Sequence, residues 1–147
     1  MEKVDCIFKG LGFRCQRRDY YCQGEQDLMV IIHPQKSVYG SIYYFNVCFA
    51  LKEYDEKGKL ILPGWRDSDT YRRIPNLLYH EPFYAFEYEQ YREDETSLET
   101  SINQYVNEII FPTLAGGSTY ILYHSDKFPC GCLSPRLKQK RDELMKN

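Results

Sequence analysis

Between residues 41 and 51 the chain alternates, so that Tyr43, Phe45, Val47, Phe49 and Leu51 share one face while Ile42, Tyr44, Asn46, Cys48 and Ala50 share the other. A period of two in bulky, aromatic and β-branched residues suits a pleated surface and no amphipathic helix, so the run predicts a strand with at least one deeply buried side. Two β-rich runs precede it, residues 13–23 and 27–35, separated by Gly24-Glu25-Gln26, and they read as a hairpin with a short turn. Residues 83–91 alternate again, placing Tyr84, Phe86 and Tyr88 together as expected of a half-exposed strand. Residues 60–62 and 118–124 are shorter strand candidates.

Helical spacing is confined to the ends of the chain. Val4, Ile7, Phe8 and Leu11 predict a helix over residues 2–10, with Gly10 or Gly12 ending it. Thr96-Ser97-Leu98-Glu99 matches a capping box, and Leu98, Ile102, Tyr105, Val106 and Ile109 then form one apolar stripe. Pro112 should kink or finish that helix, and Gly116-Gly117 should stop it. Ser134 as N-cap with Pro135 at the first helical position opens a last, charged helix whose docking contacts are Leu137, Leu144 and Met145. Hairpin-linked strands with helices gathered at the ends indicate an α+β fold, an antiparallel sheet of four to five strands with helices packed mainly on one face. At 147 residues the chain is expected to be a single domain over 1–147, large enough for one core.

Composition narrows the function classes. Aromatic residues reach 16%, with 14 Tyr, an excess that suits sheets and binding faces alike. A formal net charge of −2 supplies no overall attraction for nucleic acid or an anionic membrane, and neither is expected as a partner. No apolar stretch approaches the roughly 20 residues that span a bilayer, and the first residues lack the pattern of a signal peptide, so a cytoplasmic protein with free thiols is expected. Charge is unevenly placed, with an acidic middle and basic ends.

Gly12-Phe13-Arg14, Tyr20-Tyr21, Gln35-Lys36-Ser37 and Tyr44-Phe45-Asn46-Val47-Cys48-Phe49 form a progression that resembles the uncharacterised bacterial family called domain of unknown function 4304. The resemblance covers residues 8–52 and implies a bacterial cytosolic protein; it implies no reaction. This chain departs from the family pattern in starting late and in reading Cys-Phe-Ala after the third strand.

Catalytic signatures are absent from the sequence. Lys36 beside Ser37 has the residue types of a Ser-Lys pair, yet neighbours in a turn point apart and no oxyanion-hole glycine follows. His33, His80 and His124 are scattered, without the i+4 partner of a zincin helix. Cys15 and Cys22 with Cys130 and Cys132 would be four thiolates, but their spacings depart from zinc knuckles, and no metal or other cofactor is expected. The run Leu114-Ala115-Gly116-Gly117-Ser118-Thr119 has its glycines after a helix, where a C-cap and not a phosphate loop belongs. Arg14, Arg17 and Arg18 interleaved with Tyr20 and Tyr21 read as a solvated hairpin edge. The band Glu87, Tyr88, Glu89, Tyr91, Glu93, Asp94 and Glu95 mixes carboxylates with tyrosines, a composition that steers and anchors a basic protein partner. The expectation is therefore a protein-binding module without enzymatic activity, such as an immunity-type inhibitor of a toxin. The alternative is a small enzyme or small-molecule binder with a pocket beside the sheet involving Lys36, Ser37, Tyr44 and His124.

Overall fold

The computed structural model of the chain describes residues 2–38, 40, 42–77, 84–87, 95–124, 126–128 and 132–146. Its centre is a pair of long antiparallel strands, β3 (Leu28–Lys36) and β4 (Ile42–Leu51), in continuous register from Leu28↔Leu51 to Lys36↔Tyr43. β1 (Arg14–Gln16) and β2 (Asp19–Gln23) extend the sheet beyond β3, and β5 (Arg72–Arg73) and β6 (Phe86–Glu87) both pair with β4, giving a meander β1-β2-β3-β4-β5 with β6 beside β5. The fold is α+β, as the distribution of periods predicts.

The two sheet faces differ. Leu28, Val30, Ile32, Phe45, Val47 and Phe49 face the helices and join Phe8, Ile102, Val106, Ile110, Ile121 and Leu137 in one core. On the other face Tyr21, Met29, Ile31, Cys48 and Ala50 form a smaller cluster, against which Leu60 and Trp65 from the segment after β4 pack. That is why β4 reads as apolar on both sides: the middle of the strand is covered twice, and its first three residues and Leu51 partly emerge.

Helix α1 (Glu2–Gly10) forms as expected and inserts Phe8, fully buried, between Tyr20 and Phe45. α2 (Glu95–Tyr105) carries the predicted stripe, with Leu98 and Ile102 buried. It does not end at Pro112. A π-helical turn, Val106–Ile110, widens the coil, with the Phe111 N–H donating to the Val106 carbonyl, and α3 (Phe111–Gly116) continues with Pro112 near its start. The wider turn accommodates a ring that would otherwise clash with the preceding turn. Gly117 then stops the helix at φ +71°, and a Cβ there would meet Asp27 Oδ1 at 2.6 Å, so both conformation and space require glycine.

Four expectations are corrected. Residues 118–124 are not a strand; they form the short helix α4 (Ser118–Tyr123), because Asp27 accepts from the Ser118 N–H at 2.8 Å and from its hydroxyl, overriding the β-propensity of Thr, Tyr and Ile. Residues 13–23 are not one strand but a hairpin of their own, turned at Arg17-Arg18. Residues 60–62 make a single bridge, Tyr54↔Leu60. Helix α5 (Pro135–Met145) is capped as predicted, Ser134 Oγ accepting from the Leu137 N–H at 3.2 Å, yet only Leu137 docks, while Leu144 and Met145 are exposed. Polar clamps hold α5 instead, from Arg136 to Asp69 and from Lys140 to Asp27. Of the expected strand over 83–91, the described residues show Phe86–Glu87, with Phe86 in the core.

Candidate functional site

Beyond that smaller cluster, the second sheet face carries a polar and aromatic row. Its centre is Asn46, wholly buried in the middle of a strand and opposite Arg73 of β5. Cross-strand partners share a face, so this pairing brings the Arg73 side chain to Asn46. Asn46 Oδ1 accepts from the Tyr71 hydroxyl at 2.6 Å and from Arg73 Nε at 3.1 Å, while Asn46 Nδ2 donates to Gln35 Oε1 at 3.0 Å. Arg73 Nε also reaches the Tyr71 hydroxyl at 2.9 Å, and its guanidinium lies 4.2 Å from the Tyr44 ring centroid. A buried amide using both its acceptor and its donor in this way locks the side chains around it. Tyr44, Tyr71 and Arg73 are thus held in one arrangement while remaining partly exposed.

The row continues across β3 and β2. His33 Nδ1 stands 2.7 Å from Asp19 Oδ1, and the imidazole stacks on Trp65 with centroids 4.6 Å apart and planes 11° apart. Trp65 in turn lies 6.3 Å from the Tyr71 ring and carries Arg66 over its face at 5.2 Å. An Asp–His pair has the look of catalytic machinery, but nucleophilic chemistry also needs a reactive partner. The thiol on this face is Cys48, fully buried in β4, and burial pushes it up to about 11. At neutral pH it is a protonated thiol, so it is no nucleophile for His33.

On the helix side, where β3 and β4 run past α1, a cavity of about 680 Å³ is lined by Asp5, Cys15, Arg17, Arg18, Tyr20, His33, Pro34, Lys36 and Tyr43. The two-residue turn above it holds Arg17 at φ +55° and Arg18 at φ +69°. This is the I′ geometry that Asn-Gly adopts comfortably; a left-handed residue with a full side chain costs about 1–2 kcal/mol. Asp5 on the rim is engaged already, by Lys9 at 2.7 Å and by the Tyr20 hydroxyl at 3.1 Å. Burial, reinforced by that hydrogen bond, pushes the Tyr20 phenol upward, so it stays protonated.

The structure divides the residues singled out from the sequence. Lys36 lines the cavity, but Tyr44, one residue beyond its register partner Tyr43, belongs to the opposite face. Ser37 closes the turn with its N–H on the Ile42 carbonyl at 2.7 Å. His124 caps α4 far from Lys36, beyond the other end of β3, its Nδ1 2.8 Å from the Tyr120 carbonyl and its ring stacked on Tyr120. The alternative quartet is therefore not brought together. Tyr20 and Tyr21 are buried on opposite faces and cannot stack on bases. Of the acidic band, Tyr88, Glu89, Tyr91, Glu93 and Asp94 lie outside the described residues, as do His80 and Cys130. The backbone of Glu87 pairs with Ile42 at the outer edge of β4, and Glu95 opens α2. Cys15 and Cys22 sit in the first hairpin and Cys132 beside the start of α5, and among the described residues no three His, Cys, Asp or Glu groups assemble as metal ligands.

The sequence reading missed Tyr71 and Arg73, which lie in a segment without periodicity. The available signal was Asn46 itself, a polar residue inside the most apolar strand, which must find partners somewhere. No family model, curated protein or solved structure matches the chain.

Proposed function

We propose that the chain is a non-enzymatic protein-binding module of the immunity type, one that inhibits a basic toxin by covering it in the bacterial cytosol. The observation that carries this reading is the row of Tyr44, Arg73 and Tyr71 held around the buried Asn46, with Trp65 beside Tyr71. Tyr, Trp and Arg dominate binding hot spots because they offer large contact area, and little freedom is lost when they are already held in place. The acidic segment begins at the same edge of β4, since Glu87 pairs with Ile42 four residues before Asn46 pairs with Arg73. Its carboxylates supply steering towards a cationic surface, and the aromatic row supplies the anchor. The likeness to the bacterial family named above belongs with this reading.

Capture from an extract of the source cells, followed by titration of the retained protein, tests it. Replacing Tyr71 and Arg73 together by alanine is expected to weaken the complex by about 30-fold or more, the effect of losing a hot spot. Glu87, Glu89 and Glu93 changed to Lys should slow association and reduce its salt dependence. A partner that binds both variants as tightly as the original chain would sink the proposed face.

A further inference from the structure

The cavity beneath the Arg17-Arg18 turn shares His33 with the aromatic row but takes the rest of its lining from Asp5, Cys15, Tyr20, Pro34, Lys36, Tyr43 and the turn itself, none of which the protein-binding reading uses. We propose that it is a binding site for a small phosphate-bearing ligand.

Three observations carry the assignment. Arg17, Arg18 and Lys36 line one cavity of about 680 Å³, the size range of small-molecule sites, and among the described residues no carboxylate pairs with any of them. The lining carboxylate Asp5 is held by Lys9 and Tyr20, so among the described residues it forms no ion pair with the three cations. They come from two separate strands' ends and so are gathered by the fold and not by a run of charge in the sequence.

The second observation is the turn itself. A two-residue hairpin turn with both residues left-handed is satisfied by Asn-Gly, and here it presents two arginines despite the strain. The third is the floor. Pro34 and Tyr43 supply apolar surface beside the cations, a place for the uncharged part of a ligand. Two guanidinium forks and an ammonium match an anion of more than one charge with several acceptor oxygens, which describes a phosphate better than a single carboxylate. A cavity of this size on a chain of net charge −2 suits a small molecule better than a nucleic-acid strand, which needs an extended basic track.

Calorimetric titration of the full chain with inorganic pyrophosphate, at low salt, tests the site. Saturable binding at one site is expected. Lys36→Met should weaken it about tenfold or more, the loss of one charge-assisted contact. The informative variant is Arg17→Asn with Arg18→Gly, because it installs the residues the turn prefers. It should raise the melting temperature and at the same time weaken pyrophosphate about tenfold or more, which separates lost binding from lost folding. Absence of saturable binding overturns the proposal, as does binding unchanged in both variants. So does a single-stranded oligonucleotide that binds at the same residues and that pyrophosphate does not displace, because the ligand would then be a nucleic acid. None of these outcomes depends on Tyr71 or Arg73, so failure here leaves the protein-binding face to be judged by its own variants.

Discussion

Asp69→Ala is expected to destabilise the fold by about 3 kcal/mol, measured by denaturant unfolding. Asp69 is 2% exposed and gathers four donors: the Leu51 N–H at 2.8 Å, Ser134 Oγ at 2.6 Å, and Arg136 Nε and Nη2 at 3.1 and 2.9 Å. Its own backbone donates to the Phe49 carbonyl and accepts from Ser134. One carboxylate therefore ties the end of β4 to the cap of α5. Removing it strands the Leu51 N–H, at about 1–3 kcal/mol for an unsatisfied donor, and releases the hydroxyl that caps α5, worth about 1 kcal/mol. Arg136 is the lesser partner, because its side chain is 45% exposed and water can solvate it. The expected order is Asp69→Ala, then Asp69→Asn, then Arg136→Ala at about 1 kcal/mol. Equal losses for Asp69→Ala and Arg136→Ala would mean that the ion pair, and not the carboxylate's hold on the backbone and cap, carries the stability.

Phe8→Ala should be more damaging still, at about 3–5 kcal/mol for a buried Phe. The ring is wholly buried, stacked on Tyr20 with centroids 4.7 Å apart, edge-on to Phe13 at 5.4 Å and tilted against Phe45 at 6.1 Å. Beyond Phe8, α1 is held by the buried Val4, by Ile7 packed at the rim of the core and by the Tyr20 hydroxyl donating to Asp5, so Phe8 is its one fully buried anchor. Hydrogen exchange of the variant should accelerate over residues 2–10 and in β1 and β2 together, while the β3–β4 pair keeps its protection. Uniform acceleration across the sheet would show that α1 and the central strands unfold as one unit.

The parts of the fold that were legible in the sequence are those whose period is enforced by one partner surface. β4 sends alternate bulky residues into two different clusters, and α2 keeps its stripe because one side of it packs into the core. What escaped depends on contacts distant in the chain. Ser118 starts a helix because Asp27, far away in sequence, takes its hydrogen bonds. The Arg17-Arg18 turn carries no Gly or Asn to announce it, so a hairpin read as one long strand. The same holds for the sites. Lys36 stands out beside Ser37 at a turn, and Asn46 passes as one more member of a strand face, while Tyr71, Arg73 and Asp69 lie between residues 65 and 77, where no period reveals a face. They are positioned by short pairings with β4 and, for Asp69, by Ser134 and Arg136 at the start of α5.

If a partner docks on the sheet face that carries Tyr44, Tyr71 and Arg73, as proposed, Trp65 reports on it directly. It is the only tryptophan in the chain, half-buried between His33 and Tyr71 on that face. Titrating the captured partner, or a tryptophan-free variant of it, into this chain should shift Trp65 emission in a saturable way with the affinity of the complex, because docking removes the indole from water. Emission that stays unchanged at full occupancy would place the partner elsewhere and contradict the account.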